Sequence, residues 1–392
     1  MKKCVTTVLV LCLYGCLFGI SVPAQTKKTI AVKKIATKNV AKRGTLEMVF
    51  VIDTTGSMGG LIDGAKQKVW SIVNDVMQKP SRPAVRVGLV AYRDQGDAYV
   101  TQVLPLTDDL DKVYTTLMAY QASGGGDEPE NVRRALADGV YKAGWTKSEK
   151  ELAQIIFLVG DAPPHEDYTN EPDTLTTTAA AVRKNMIVNT IQCGSLAGTI
   201  QFWQNIARRG EGKYFAIPQD GGVAAIATPY DARLAELAGK VGETYLAYGG
   251  GSGVAGTEFR SLLQANQVTI EARVVEALPV ATQADRAVNK AINSSAYAKD
   301  LIQDIENETV KLEQVKKEDL PDDLQKLSLA ERQKEIEKRL AERKKVRTEI
   351  LELSKKRDQF IAAERQKTGV KNAFDAAVAI ALKDQLQRKG IR

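Results

Sequence analysis

The segment Asp53-Thr54-Thr55-Gly56-Ser57 sets a carboxylate and two hydroxyls at alternate positions, directly after the apolar run of residues 48–52. Oxygens spaced in this way can turn towards one point, an arrangement that suits a hard divalent cation, Mg²⁺ or Ca²⁺; oxygen ligation alone does not choose between them. Two later stretches repeat the theme. One is Gly124-Gly125-Gly126-Asp127; the other is the apolar run of residues 155–159, which ends in Gly160-Asp161. A short buried strand that stops at Asp puts the carboxylate at the carboxyl edge of a sheet, where open α/β folds bind ligands. A plainer role competes at each place. Asp53 and Ser57 could cap a helix expected over residues 58–77, and Asp127 could cap one beginning at Pro129.

The elements that must position these oxygens alternate in kind. Strands are expected over residues 46–52, 85–92, 99–104, 153–159, 186–191 and 213–217, the third as an antiparallel edge. Helices are expected over residues 58–77, 110–119, 129–142, 174–185, 200–208 and 230–248. This order predicts an α/β fold: a doubly wound, mostly parallel sheet with helices on both faces.

With that order in view, Asp53-Thr54-Thr55-Gly56-Ser57 resembles the D-x-S-x-S motif of von Willebrand factor A (VWA) domains, whose metal-ion-dependent adhesion site (MIDAS) lies at such an edge. The resemblance covers residues 46–247. Val90-Ala91-Tyr92-Arg93-Asp94, the stretch from Gly124 to Glu130, and Gly160-Asp161-Ala162-Pro163-Pro164-His165 are similar to a bacterial branch related to the A domains associated with atypical alpha-kinases. The resemblance implies that Asp53, Thr55 and Ser57 are metal ligands, with Thr55 where Ser is commoner, and that Asp161 acts through water. At the third position, usually Thr, the nearest match is Asp127, with Ser123 as the alternative. Three carboxylates around a divalent ion would leave a local charge of about −1 and weaken the pull on an acidic partner. His165, Arg93 and Asp94 are expected to line the same cleft.

The function so implied is a divalent-metal-dependent protein-binding module, for adhesion or scaffolding, with a protein partner of unknown identity. Two other classes compete. One is a structural envelope protein that acts through a coiled-coil region, its metal only stabilising the fold. The other is a metal-dependent hydrolase. The sequence has no Walker loop, no C-x-x-C and no nucleophile elbow, and Thr55 stands where a phosphoaspartate enzyme would carry a second Asp, so an enzyme is not expected.

The ends of the 392-residue chain read differently from its middle. Lys2 and Lys3, an apolar run to Ile20 and Val22-Pro23-Ala24 read as an export signal over residues 1–24, predicting a periplasmic, cell-surface or secreted protein. Leu13-Tyr14-Gly15-Cys16 resembles a lipobox, the less favoured alternative. Residues 25–45 hold seven basic and no acidic groups, a linker that could touch an anionic envelope surface. Residues 46–280 carry 21 basic and 28 acidic groups, so the net charge of +7 belongs to the ends and no nucleic-acid partner is expected. Residues 248–282 read as a Gly-rich linker and connecting segment. Residues 283–392 read as a helical hairpin or coiled coil, one arm near residues 287–315 and the other near 329–365, with a capping box at Ser328-Leu329-Ala330-Glu331 and scope for self-association. Cys193, beyond the signal, is expected as a small core residue.

Overall fold

The computed structural model describes residues 44–78, 83–147, 150–217, 226–293, 296–368 and 373–391. The expected export signal, Cys16 and residues 25–43 of the basic stretch lie outside them. The described residues all belong to one compact unit.

Its centre is a six-stranded sheet: β1 (Thr45–Asp53), β2 (Ala84–Tyr92), β3 (Thr101–Thr107), β4 (Leu152–Gly160), β5 (Ile187–Cys193) and β6 (Glu211–Ile217). The spatial order is β3-β2-β1-β4-β5-β6. Only the β2–β3 pairing is antiparallel, at the edge. The helices between strands are α1 (Ile62–Met77), α2 (Leu110–Ala119), α3 (Val132–Tyr141), α4 (Thr174–Arg183) and α5 (Ala197–Arg209). The expected doubly wound fold is therefore present. The order reverses at β1, which lies between β2 and β4, and this switch point is where such sheets open a crevice beyond the strand ends.

Alternation along β1 shows why both faces must be covered. Leu46, Met48, Phe50 and Ile52 point into one core with α1 and α2, whereas Val49 and Val51 join Val132, Leu136 and Trp203 in the other. All nine residues of β4 are buried, and Phe157 stacks on Phe50 with ring centroids 5.1 Å apart. Each aliphatic side chain so buried contributes about 1.5–3 kcal/mol. Cys193 is a buried free thiol in the first of these cores, and burial pushes its pKa up.

Beyond the sheet come α6 (Asp231–Glu243), α7 (Gly253–Ala277), α8 (Val280–Ile292), α9 (Leu301–Glu306), α10 (Asp322–Gln325), α11 (Leu329–Thr368) and α12 (Ala373–Arg388). The arm expected over residues 329–365 is α11, and its capping box forms: the Ser328 amide donates to Glu331 Oε2 at 2.8 Å. The arm expected over residues 287–315 is instead broken. α8 stops at Ile292, and Glu308 adopts a positive φ of 58° just beyond α9, so no continuous helix runs through that stretch.

The apolar stripe of α11 is buried within the same chain. Val346 and Ile350 pack with α6 and α8, and Ile336 packs with Leu301, Leu320 and Leu324. Helix α12 reaches the sheet itself, placing Val378, Leu382 and Leu386 in the core beside α1. Asn189 of β5 and Gln385 of α12 exchange two buried side-chain hydrogen bonds of 2.7 and 3.2 Å. On the α2 side, Arg286 grips Asp111 through two hydrogen bonds of 2.5 and 2.6 Å, and Glu271 neutralises the same guanidinium and Lys290. The Gly-rich loop is likewise pinned: Arg260 donates to the carbonyls of Gly249, Gly251 and Glu318. Among the described residues, no helix is long and apolar enough to cross a membrane.

Candidate metal centre

Strand β1 delivers Asp53 fully buried to the carboxyl edge, and Thr54 and Thr55 follow it into the interior. The chain then makes a short 3₁₀ turn, Gly56–Gly60, before α1. Neither that turn nor α1 receives a side-chain cap, so Asp53 and Ser57 are not there to start the helix. They are joined to each other instead. Asp53 Oδ1 accepts from the Thr55 amide at 2.9 Å and from Thr55 Oγ1 at 2.6 Å. Thr55 Oγ1 lies 3.0 Å from Ser57 Oγ, and Ser57 Oγ donates to Asp161 Oδ1 at 3.0 Å.

The proton count matters. Thr55 and Ser57 have one hydroxyl proton each for three contacts, those to Asp53 and Asp161 and the one of 3.0 Å between them, so one contact lacks a proton unless a carboxyl supplies it. Asp53 Oδ2 is buried and, among the described residues, completes no hydrogen bond, although the Tyr92 hydroxyl lies near enough to lower its pKa. A proton-poor cluster of hydroxyl and carboxylate oxygens around a buried carboxylate oxygen is what a cation would satisfy. Burial first, and the Asp161 charge second, push the Asp53 pKa from 3.8 up to about 7, against the opposing hydrogen bonds of Thr55 and Tyr92. Burial also raises Asp161. Gly160, the last residue of β4, has no side chain because a Cβ there would collide with Tyr92 Oη and the Asp53 side chain.

The loop of residues 123–130 crosses over this turn. The Gly56 amide donates to the Gly124 carbonyl at 2.9 Å, and Gly124 has a φ of +80° with its Cα against the Asp97 carboxylate, a position that only glycine fits. Ser123 is exposed and tied by its amide to the Thr54 carbonyl at 3.0 Å. Asp127 does not cap α3, because Asn131 does, accepting from the Arg134 amide at 3.0 Å. Asp127 lies instead beside His165, with 3.5 Å between Oδ1 and Nε2. Asp94 lies on the same imidazole nitrogen at 3.4 Å. Asp94, Asp127 and His165 thus make an acidic and histidine group whose ligand atoms lie within 4.8 Å of one another. Burial lowers the His165 pKa, but the Asp167 hydrogen bond and the Asp94 and Asp127 charges outweigh it and leave the group raised. Arg93 acts as a brace, donating to the Thr54 carbonyl and the Gln121 carbonyl, each at 3.1 Å, with its guanidinium over the Tyr99 ring.

Sequence reasoning does not single out Glu130. It is 2 % exposed, its Oε2 has no hydrogen-bond partner, and burial, then the charges of Asp53 and Asp94, push its pKa to about 9. Its backbone pairs with the loop after β4, the Glu130 amide donating to the Pro163 carbonyl at 3.0 Å. The available signal was an acid embedded in Pro129-Glu130-Asn131-Val132, immediately before an apolar helix, where a buried carboxylate is unusual.

The sequence model of the von Willebrand factor A domain matches residues 47–227. These residues form a VWA domain. Von Willebrand factor A domain-containing protein 7 of Rattus norvegicus is 35% identical over 135 residues, and its Homo sapiens counterpart 35% identical over 128. Each match takes in 32% of this chain and only 13% of the relative's length. Among solved structures, the conserved hypothetical protein BatB from Bacteroides thetaiotaomicron aligns at 18% identity and a TM-score of 0.34, covering 45% of this chain and 91% of that one. Proximal thread matrix protein 1 from the mussel byssus, with a zinc-occupied MIDAS motif, aligns at 14% identity and a TM-score of 0.35, covering 45% and 43%. In this VWA domain, the oxygens of Asp53, Thr55, Ser57 and Asp161 stand at the edge where the sequence reasoning puts them.

Proposed function

We propose that this protein is an exported protein-binding module whose VWA domain holds a divalent cation on Asp53, Thr55, Ser57 and Asp161 and offers the ion's remaining coordination to an acidic group of a protein partner. The observation that carries the reading is the buried Asp53 Oδ2, which among the described residues completes no hydrogen bond, beside two hydroxyls with two protons for three contacts. Within this ligand set the carboxylates are those of Asp53 and Asp161. These can neutralise a dication without overwhelming it.

Binding is favoured over catalysis by where the reactive groups point. Ser57 donates to Asp161, and the imidazole of His165 faces Asp94 and Asp127, so serine and histidine are not set up as nucleophile and base. Mg²⁺ and Ca²⁺ are the ions that an all-oxygen set favours. The test is calorimetric titration of the metal-free chain with Mg²⁺ and with Ca²⁺, alongside Asp53→Ala, followed by capture of exported proteins from the source cells with and without chelator. Heat of binding in the wild type that Asp53→Ala removes, with capture lost in the same variant, supports the reading. Equal metal affinity in wild type and variant would sink it.

A further inference from the structure

We propose that Asp94, Asp127 and His165 form a second divalent-cation site, distinct in its ligands from the Asp53 set and suited to a nitrogen-accepting ion of the zinc or cobalt kind. The inference does not depend on the Asp53 site being filled.

Three features point to a ligand. First, His165 is 5 % exposed, yet among the described residues its Nε2 has no hydrogen-bond partner, and buried Asp94 Oδ1 has none either. Both groups belong to the cluster they would serve. Second, the other imidazole nitrogen is held: Nδ1 lies 2.8 Å from Asp167 Oδ1, and the ring stacks on Tyr168 at 4.0 Å between centroids. An Nδ1–H donated to a carboxylate leaves the Nε2 lone pair free and aimed inward, the usual support for a metal-binding histidine. Tyr168 completes the outer layer by donating its hydroxyl to Asp94 Oδ2 at 2.8 Å.

The third feature is distance. Nε2 stands 3.4 Å from Asp94 Oδ2 and 3.5 Å from Asp127 Oδ1. A protonated imidazole gripping these carboxylates directly would be expected at about 2.7–2.9 Å. Ligands about 2.1 Å from a tetrahedral metal lie roughly 3.4 Å from one another. The spacing therefore fits an ion between the groups better than a proton. Asp127, whose side chain is 62% exposed, forms the mouth, leaving a fourth position open to water or to a partner's side chain. One nitrogen with two carboxylates favours a late first-row dication over Mg²⁺ or Ca²⁺.

Because His165 is the only histidine in the chain, its ring reports the site without interference. The full chain, ¹⁵N-labelled and held in excess Mg²⁺, is titrated with Zn²⁺ while the ring nitrogens are followed by long-range proton–nitrogen correlation. One equivalent should move Nε2 to a metal-bound position and leave Nδ1 as N–H. Asp94→Asn and Asp127→Asn should each weaken Zn²⁺ at least tenfold by calorimetry, and Asp167→Asn by about 10–100-fold, with far-UV circular dichroism unchanged. Since Asp127 is exposed, its variant remains informative if Asp94→Asn fails to fold. Imidazole signals that ignore Zn²⁺, or an Asp127→Asn affinity equal to wild type, would overturn the proposal. So would loss of the imidazole shift in Asp53→Ala. An imidazole shift that persists in Asp53→Ala supports it, and no Mg²⁺ heat in the wild type would count against the Asp53 reading alone.

Discussion

Without metal, Asp53 should be a destabilising residue, and Asp53→Asn should reveal it. The carboxyl ionises near 3.8 in water and at about 7 in the folded protein, because burial and Asp161 oppose its charge. Below pH 3.8 both states are protonated and the residue makes no difference to stability. Between those values the unfolded chain ionises while the folded chain holds its proton, so stability falls as pH rises and levels off above pH 7. A displacement of roughly three units at about 1.4 kcal/mol each amounts to about 4 kcal/mol lost at pH 8, of which about 1.5 kcal/mol is already lost at pH 5. Asparagine cannot ionise, and it also relieves Glu130, whose rise to about 9 comes from burial first and Asp53 second. The assay is urea unfolding in chelator at pH 5, 6, 7 and 8. The introduced amide brings a hydrogen-bonding demand of its own that is the same at every pH, so the offset at any one pH is not decisive; the slope is. The stability of Asp53→Asn minus that of wild type should grow by about 2–3 kcal/mol from pH 5 to pH 8. A difference that stays flat over that range would refute the reasoning.

Other outcomes follow from the same geometry. Saturating Mg²⁺ at pH 8 should stabilise the wild type, by about 2.7 kcal/mol at a hundredfold excess over Kd, and leave Asp53→Ala unmoved; equal rises in the midpoint of a thermal melt would contradict this. Arg343 and Asp300 form a fully buried pair in which Arg343 also donates to the carbonyl and hydroxyl of Thr244, so Arg343→Ala should cost about 3–5 kcal/mol in urea unfolding, and more than Arg343→Met paired with Asp300→Leu. A chain ending at residue 372 would uncover the core that Val378, Leu382, Leu386 and Ile391 fill. At about 1.5–3 kcal/mol each, the loss approaches a whole domain's stability, and near-UV circular dichroism should show a collapsed tertiary signal. A wild-type melting curve from that truncation would show that α12 is dispensable.

The sheet was legible because strands buried on both faces read as continuous apolar runs and end where polar residues begin, as at Ile52-Asp53 and Val159-Gly160-Asp161. The ligand oxygens were legible for the same reason: alternate positions on a turn are fixed by local geometry. What escaped was non-local. The start of α3 shifted from Pro129 to Val132 because Asn131 caps it, which frees the preceding acids to face other loops. Glu130 looked like a surface acid because its burial depends on the loop after β4 crossing it, and no local pattern announces that contact. The tail misled in a different way. Its heptad-like spacing does mark an apolar stripe, but the surface that covers Val346 and Ile350 is α6 and α8 of the same chain.

The two cation readings bear on each other through charge. Asp53, Asp161, Asp94 and Asp127 set four carboxylates on one edge, and Glu130, which feels both Asp53 and Asp94, ties the two groups electrostatically. A single dication leaves that edge with net negative charge, which opposes an incoming acidic side chain. A second dication on His165, Asp94 and Asp127, as proposed, would cancel the remainder and remove that opposition to an acidic partner. If both proposals hold, filling the histidine group would make the Asp53 ion more receptive to a partner, and Asp127 would affect partner binding from the neighbouring ion without having to ligate the first.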